Sequence, residues 1–107
     1  MYKLCFFVPE SHLASVKSAL FALGAGKIGN YDCCAWQVAG QGQFRALEGS
    51  APFIGQQGVV ASVDEYRVEM VVGDEIIASV VDALVEAHPY EVPAYEYWLV
   101  NAGFNNS

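Results

Sequence analysis

The sequence predicts an α+β fold: a split βαβ sandwich whose four-stranded antiparallel sheet carries two helices on one face. Three observations lead there. A strand-like alternation followed by a helical stripe opens the chain, and the same pairing recurs after residue 64. Between the two units lies residues 24–58, which holds eight of the ten glycines and reads as an insertion. Every apolar run is far too short for the ~20 residues that cross a bilayer.

Taken in order, Tyr2, Leu4, Phe6 and Val8 alternate with Lys3, Cys5 and Phe7, which is the period of a strand. Pro9 stops it. Ser11 is the expected cap of the first helix, with Glu10 near the positive end of its dipole. Leu13, Val16, Leu20 and Leu23 share one helical face. Gly24 stands where a helix-ending glycine belongs. Residues 28–38 read as a second strand, Gly40-Gln41-Gly42 as a turn, and 43–47 as the returning arm of a hairpin. Residues 48–58 form a long loop in which Phe53 and Ile54 pack down, so the hairpin and loop insertion spans 28–58. Residues 59–63 extend the pairing, and 65–72 are a strand with Tyr66, Val68, Met70 and Val72 on one side. Asp74 is the expected N-cap of the second helix, whose buried stripe is Ile77, Val80, Val81 and Leu84. His88 ends that helix and Pro89 forbids its continuation. Residues 94–100 are the last strand, and 101–107 a polar tail expected to fray. Right-handed crossovers assemble these elements into a ferredoxin-like sandwich, one domain over residues 1–107.

Composition excludes several functions. With 54% hydrophobic residues in 107, the chain has enough apolar side chains for a core and is not a disordered segment. The N-terminal apolar run leads into Pro9-Glu10 with no small-residue cleavage site, which reads as a strand and not a signal peptide. The net charge is −7, and the five cations Lys3, Lys17, Lys27, Arg45 and Arg67 are nowhere adjacent. Phosphate backbones and anionic membranes require clustered cations, so neither nucleic acid nor membrane is an expected partner. Three cysteines do not make a disulfide framework, and a cytoplasmic, reducing compartment is expected.

The sheet face away from the helices would carry Cys5, Phe7, Val71, Trp98 and Val100. Burying such side chains stabilises by about 1.5–3 kcal/mol each. A homo-oligomer covering that face is therefore expected, the alternative being that the long loop folds back over it.

Several motifs resemble one family. They are Gly26-x-Ile28-Gly29-Asn30-Tyr31, Gly42-x-Phe44-Arg45-x-Leu47-Glu48-Gly49, Pro52-Phe53-Ile54-Gly55, Glu65-Tyr66-Arg67-Val68-Glu69, and His88-Pro89-Tyr90-Glu91-x-Pro93-Ala94-Tyr95. Together they cover nearly the whole chain, and they resemble the inserted domain of the YqfO/YbgI (NGG-interacting-factor-three) family. The 88–93 segment is also similar to CutA-type proteins. The resemblance implies a CutA/PII-like fold, self-association with a trimer favoured, and a binding or regulatory role. In longer members two flanking halves build a two-metal site from His and carboxylate residues. The resemblance implies that this chain is the insert without those halves, so the cyclohydrolase-type activity does not carry over.

Among candidate site residues, His88 with Glu91 is the best polar pair near a helix end. A metal site would need a third ligand from Asp32, Cys33 or Cys34. The competing reading has His88 closing the helix on its last carbonyls. Cys33 and Cys34 are adjacent, so in a strand they point to opposite faces and cannot share one ion. Gly24-x-Gly26-x-x-Gly29 has dinucleotide-site spacing, but its glycines leave a helix and enter a strand, the reverse of what phosphate binding needs. Tight turning and close backbone approach are the expected roles of Gly26 and Gly29. Arg45 with Glu48 and Arg67 with Glu69 are expected salt bridges, or Arg45 meets a ligand anion. Tyr31, Trp36, Phe44 and Phe53 supply aromatic surface, and Tyr90 joins the His88–Glu91 turn. His12 is expected to be solvated. No cofactor is expected. The combined expectation is a non-catalytic, oligomeric binding or regulatory module that receives a small molecule or protein at a subunit cleft. The alternative is a metal-binding protein or enzyme using His88, Glu91 and a cysteine or carboxylate from a neighbouring chain.

Overall fold

The computed structural model describes residues 1–104, so the last three residues of the expected tail lie outside the described part. In chain order it has β1 (Tyr2–Pro9), α1 (Glu10–Ala22), β2 (Trp36–Arg45), β3 (Val60–Val72), α2 (Ile77–Ala87) and β4 (Tyr95–Leu99). The strands form one antiparallel sheet in the order β2-β3-β1-β4. This is the expected ferredoxin-like sandwich, with both helices on one face.

The core follows from the two periodicities. Leu4, Phe6 and Val8 of β1 and Val68, Met70 and Val72 of β3 point to one side of the sheet. Val16 and Leu20 of α1 and Val80 and Leu84 of α2 close over them, all fully buried. Each such side chain stabilises the fold by about 1.5–3 kcal/mol. Leu13, Tyr66 and Ile77 pack at the margin of this cluster. Val81 is only half-buried, and Leu23 is 42% exposed because the chain reverses directly after it. That reversal is a full Schellman closure: Gly24 N–H donates to Phe21 O and Ala25 N–H to Leu20 O, with Gly24 at φ +101°.

Both expected helix caps fail. The α1 N-cap is Pro9, in extended conformation, with no side-chain capping bond. The Ser11 hydroxyl meets His12 Nδ1 instead, 2.8 Å away. The α2 N-cap is Ile76, while the Asp74 carboxylate pairs with the Met1 amino group.

The largest correction concerns the insertion. There is no hairpin within residues 28–47. Residues 28–31 make a tight turn closed by two bonds, Ile28 N–H to Tyr31 O at 2.9 Å and Tyr31 N–H to Ile28 O at 3.0 Å. The strand starts only at Trp36 and runs unbroken through Gly40-Gln41-Gly42 to Arg45. Its hairpin partner is β3, and the connecting loop is residues 46–59. The first five residues of β3 pair only with β2, because β1 ends opposite Glu65. A two-stranded ribbon therefore projects from the sheet, and the molecule measures 47 × 24 × 23 Å.

Register defines the face away from the helices. One row is Trp98, Lys3 and Val71; the next is Glu96, Cys5, Glu69 and Trp36; a third is Phe7, Arg67 and Val38. The face is thus mixed, with charges set among apolar groups. Cys5 is fully buried and Val71 nearly so, while Trp36, Val38 and Trp98 stay well exposed. Arg67 Nε and Glu69 Oε2 form the expected ion pair, at 3.1 Å.

Candidate functional site

Beyond the Phe7 row, the 46–59 loop and the turn after α2 meet over the root of the ribbon and line an open-mouthed cavity. The turn starts from α2. His88 N–H still donates to Leu84 O, but Pro89 cannot continue the helix. The His88 side chain does not return to its own helix carbonyls, as one expectation had it. It crosses to β1, with Nε2 2.6 Å from Phe7 O. Its Nδ1 receives the Tyr90 backbone N–H at 3.1 Å. A backbone N–H can only donate, so Nδ1 is the acceptor and Nε2 carries the proton toward Phe7. The imidazole is buried and neutral, and burial holds its pKa below the ordinary value. Both nitrogens are committed within the fold.

His88 also supports Tyr90, whose ring lies edge-on at 4.7 Å. The Tyr90 hydroxyl donates to Glu65 Oε2 at 3.2 Å. Burial, then the adjacent Glu65 charge and hydrogen bond, raise the Tyr90 pKa to about 12. It therefore remains a phenol, and a donor, at any ordinary pH. Glu91 Oε1 accepts the Ala51 N–H at 3.0 Å, which ties the loop to the turn. The loop is closed at its base by Gly58 N–H to Ala46 O at 2.7 Å. Phe53, at the loop crest, stands 6.4 Å from the Tyr90 ring and 5.7 Å, edge-on, from His12. His12 is accordingly half-buried and not the solvated group expected.

The cavity is half open to solvent and measures about 270 Å³. Phe7, Phe44, Phe53 and Tyr90 give it aromatic walls, and Glu65 and Glu91 its charges. No lysine, arginine or histidine lines it. Glu65 reaches this position because β2 carries no side chains opposite it. Gly40 is its register partner, and a Cβ on Gly42 would collide with the Glu65 carboxylate.

Of the residues singled out from the sequence, Phe44, Tyr90 and Glu91 line the cavity, and His88 stands behind Tyr90. Tyr31 is 75% exposed in the 28–31 turn, and Trp36 opens β2 on the mixed face. Arg45 is exposed and sits beside Val60, on the side of the ribbon opposite Phe44. Among the described residues it forms no ion pair with Glu48. Asp32, Cys33 and Cys34 lie beyond the other end of β2, near Gly26, whose carbonyl accepts the Cys34 N–H at 2.9 Å. Among the described residues no three His, Cys, Asp or Glu side chains converge as a metal site. Sequence reasoning missed Phe7 and Glu65, which reach the cavity through strand register. The signal for Glu65 was the Gly-x-Gly inside a β-rich stretch.

No protein-family model matches the chain. Individual relatives do. A GTP cyclohydrolase 1 type 2 homolog of Halalkalibacterium halodurans is 45% identical over 104 residues, 96% of this chain and 28% of that protein. The Mycobacterium tuberculosis homolog of the same name is 46% identical over 94 residues, 88% of this chain and 25% of that protein. The chain thus spans about a quarter of the length of the curated relatives it matches. Among solved structures, the Bacillus cereus protein related to NIF3 superposes with a TM-score of 0.81 at 36% identity, over 94% of this chain and 26% of that one. PII-like protein CutA from Nostoc gives 0.67 at 18% identity, over 94% and 82%, and shares the fold. Among the described residues no helix is long and apolar enough to cross a membrane. On these identities the chain is homologous to one segment of the longer NIF3-related GTP cyclohydrolase 1 type 2 homologs.

Proposed function

We propose that this domain serves a metal-dependent activity of the NIF3 type whose metal centre is completed by another chain. The observation that carries the reading is the 45% identity to one segment of a GTP cyclohydrolase 1 type 2 homolog. The donor set fits this division of labour. His88 has both nitrogens committed inside the fold, so metal ligands must come mainly from outside the domain. In this scheme the domain supplies the cavity and the assembly surface. Copies associate through the mixed sheet face, burying Trp36, Val38 and Trp98, with three the number we propose. Three cysteines without a disulfide suit a reducing cytoplasm.

The test mixes this chain with the metal-loaded flanking halves of a longer relative, prepared without their inserted segment. The expected result is a complex on size exclusion and a change in GTP turnover by those halves. The chain alone is expected to retain no stoichiometric zinc or manganese after dialysis. Stoichiometric metal on the chain alone, or no complex at tens of micromolar, overturns the proposal.

One observation favours a second reading, a binding or regulatory module with no share in metal chemistry. The cavity is complete within a single chain. On that reading a small molecule alone raises the melting temperature, by an amount that grows with the logarithm of its concentration once above Kd.

A further inference from the structure

We propose that the cavity between the 46–59 loop and the 88–94 turn binds a compact organic cation, a quaternary or protonated amine on a small apolar body. Glu65 and Glu91 supply the countercharge, and Phe7, Phe44, Phe53 and Tyr90 supply the walls. This deepens the reading of the cavity as a receiving site and rests on it.

The size sets the first limit. A volume of about 270 Å³ equals about nine water molecules of liquid, which suits a small metabolite. Charge sets the second. Two carboxylates face a space with no basic side chain, in a chain of net charge −7. An anion entering would lose hydration and meet repulsion, whereas a monocation, which also loses hydration, meets attraction, and a weakly hydrated organic one loses least. The walls set the third. Aromatic faces attract a cation within ~6 Å of the ring centre, most strongly where water is excluded.

Each carboxylate is half-engaged by the protein. Glu65 Oε2 takes the Tyr90 hydroxyl, and Glu91 Oε1 takes the Ala51 N–H. The second oxygen of each accepts no hydrogen bond from the described residues. The fold thus fixes both groups: Glu65 Oε1 packs beside Gly42, and Glu91 keeps one acceptor for a ligand. A bare divalent ion fits poorly, because hard cations take six or more oxygens and these walls are mostly hydrocarbon.

The test uses titration calorimetry with three probes: choline, its neutral isostere with carbon in place of nitrogen, and butyrate. Choline is expected to saturate a single site, with the isostere roughly tenfold weaker and butyrate silent. Glu65→Gln and Glu91→Gln are each expected to weaken choline and leave the isostere unchanged. Phe44→Leu, which keeps an apolar wall without a π face, should do the same if a carboxylate variant fails to fold. Equal binding of choline and isostere, or a preference for butyrate, overturns the cation and leaves the cavity as a receiving site. Silence of all three probes overturns both.

Discussion

Replacing Gly26 by alanine tests how the glycine-rich segment is locked to the sheet. Gly26 adopts φ +77°, its N–H donates to Val71 O at 2.8 Å, and its carbonyl accepts the Cys34 N–H at 2.9 Å. A Cβ there would lie 2.7 Å from Cys34 O, 3.1 Å from Cys34 N and 3.0 Å from the Phe21 ring. The left-handed conformation costs a side-chain-bearing residue about 1–2 kcal/mol. Relieving the backbone collision must also stretch the Cys34 bond, a further ~0.5–1.5 kcal/mol. The sum is about 1.5–3.5 kcal/mol, or a fall in melting temperature of roughly 6–28 °C for a domain of this size. Gly29 provides the control, since it has φ +57° and nothing within 4 Å of its Cβ position. Gly29→Ala should lose only the conformational part, about 1–2 kcal/mol. The entropy that alanine removes from the unfolded chain is common to both variants and cancels between them. The assay is thermal and urea unfolding followed by circular dichroism. Equal losses for the two variants, or a Gly26→Ala loss below about 1 kcal/mol, would refute the close-approach argument.

Three further outcomes are expected. His88 is held neutral when folded, so below its ordinary pKa of 6.5 only the unfolded chain takes up the proton, and stability falls as pH falls. The urea midpoint should drop on acidification in the parent and markedly less in His88→Gln, with His12 common to both. Tyr90 should ionise at about 12, later than an ordinary tyrosine at 10, in a near-ultraviolet titration that Tyr90→Phe simplifies. Since the folded state holds that proton more tightly, stability also falls as pH rises from 10 through 12. Light scattering should give a mass of several chains, and Trp36→Glu with Trp98→Glu should reduce it to one; an unchanged mass removes the sheet face as the contact.

What could be read from the sequence was whatever repeats with a period. β1, β3 and the two helical stripes were legible because Leu4, Phe6 and Val8, or Val80 and Leu84, sit where one face demands them. The caps were not, because a hydroxyl or carboxylate near a helix start has competing partners. Ser11 found its neighbour His12, and Asp74 found the Met1 amino group across more than seventy residues of chain. The site divides in the same way. Tyr90 and Glu91 belong to one contiguous turn and could be named from it. Phe7 and Glu65 arrive through the pairing of β1, β3 and β2, which spans more than fifty residues of chain.

The misread strand explains why the cavity exists at all. Gly40-Gln41-Gly42 looks like a turn because glycine is assumed to serve φ, and at Gly24 and Gly26 it does. Gly40 and Gly42 have no positive φ and lie in regular ladder positions opposite Glu65 and Val63. Glycine in a strand interior costs ~0.5–1 kcal/mol against alanine, and two of them in an edge strand are a real burden. At Gly42 the compensation is space: the Glu65 carboxylate occupies the volume that a side chain would take. From there it receives the Tyr90 hydroxyl and faces the aromatic walls. A strand weakened in order to seat a carboxylate in an apolar cavity makes sense as the construction of a binding site, since packing alone would have favoured valine at both positions.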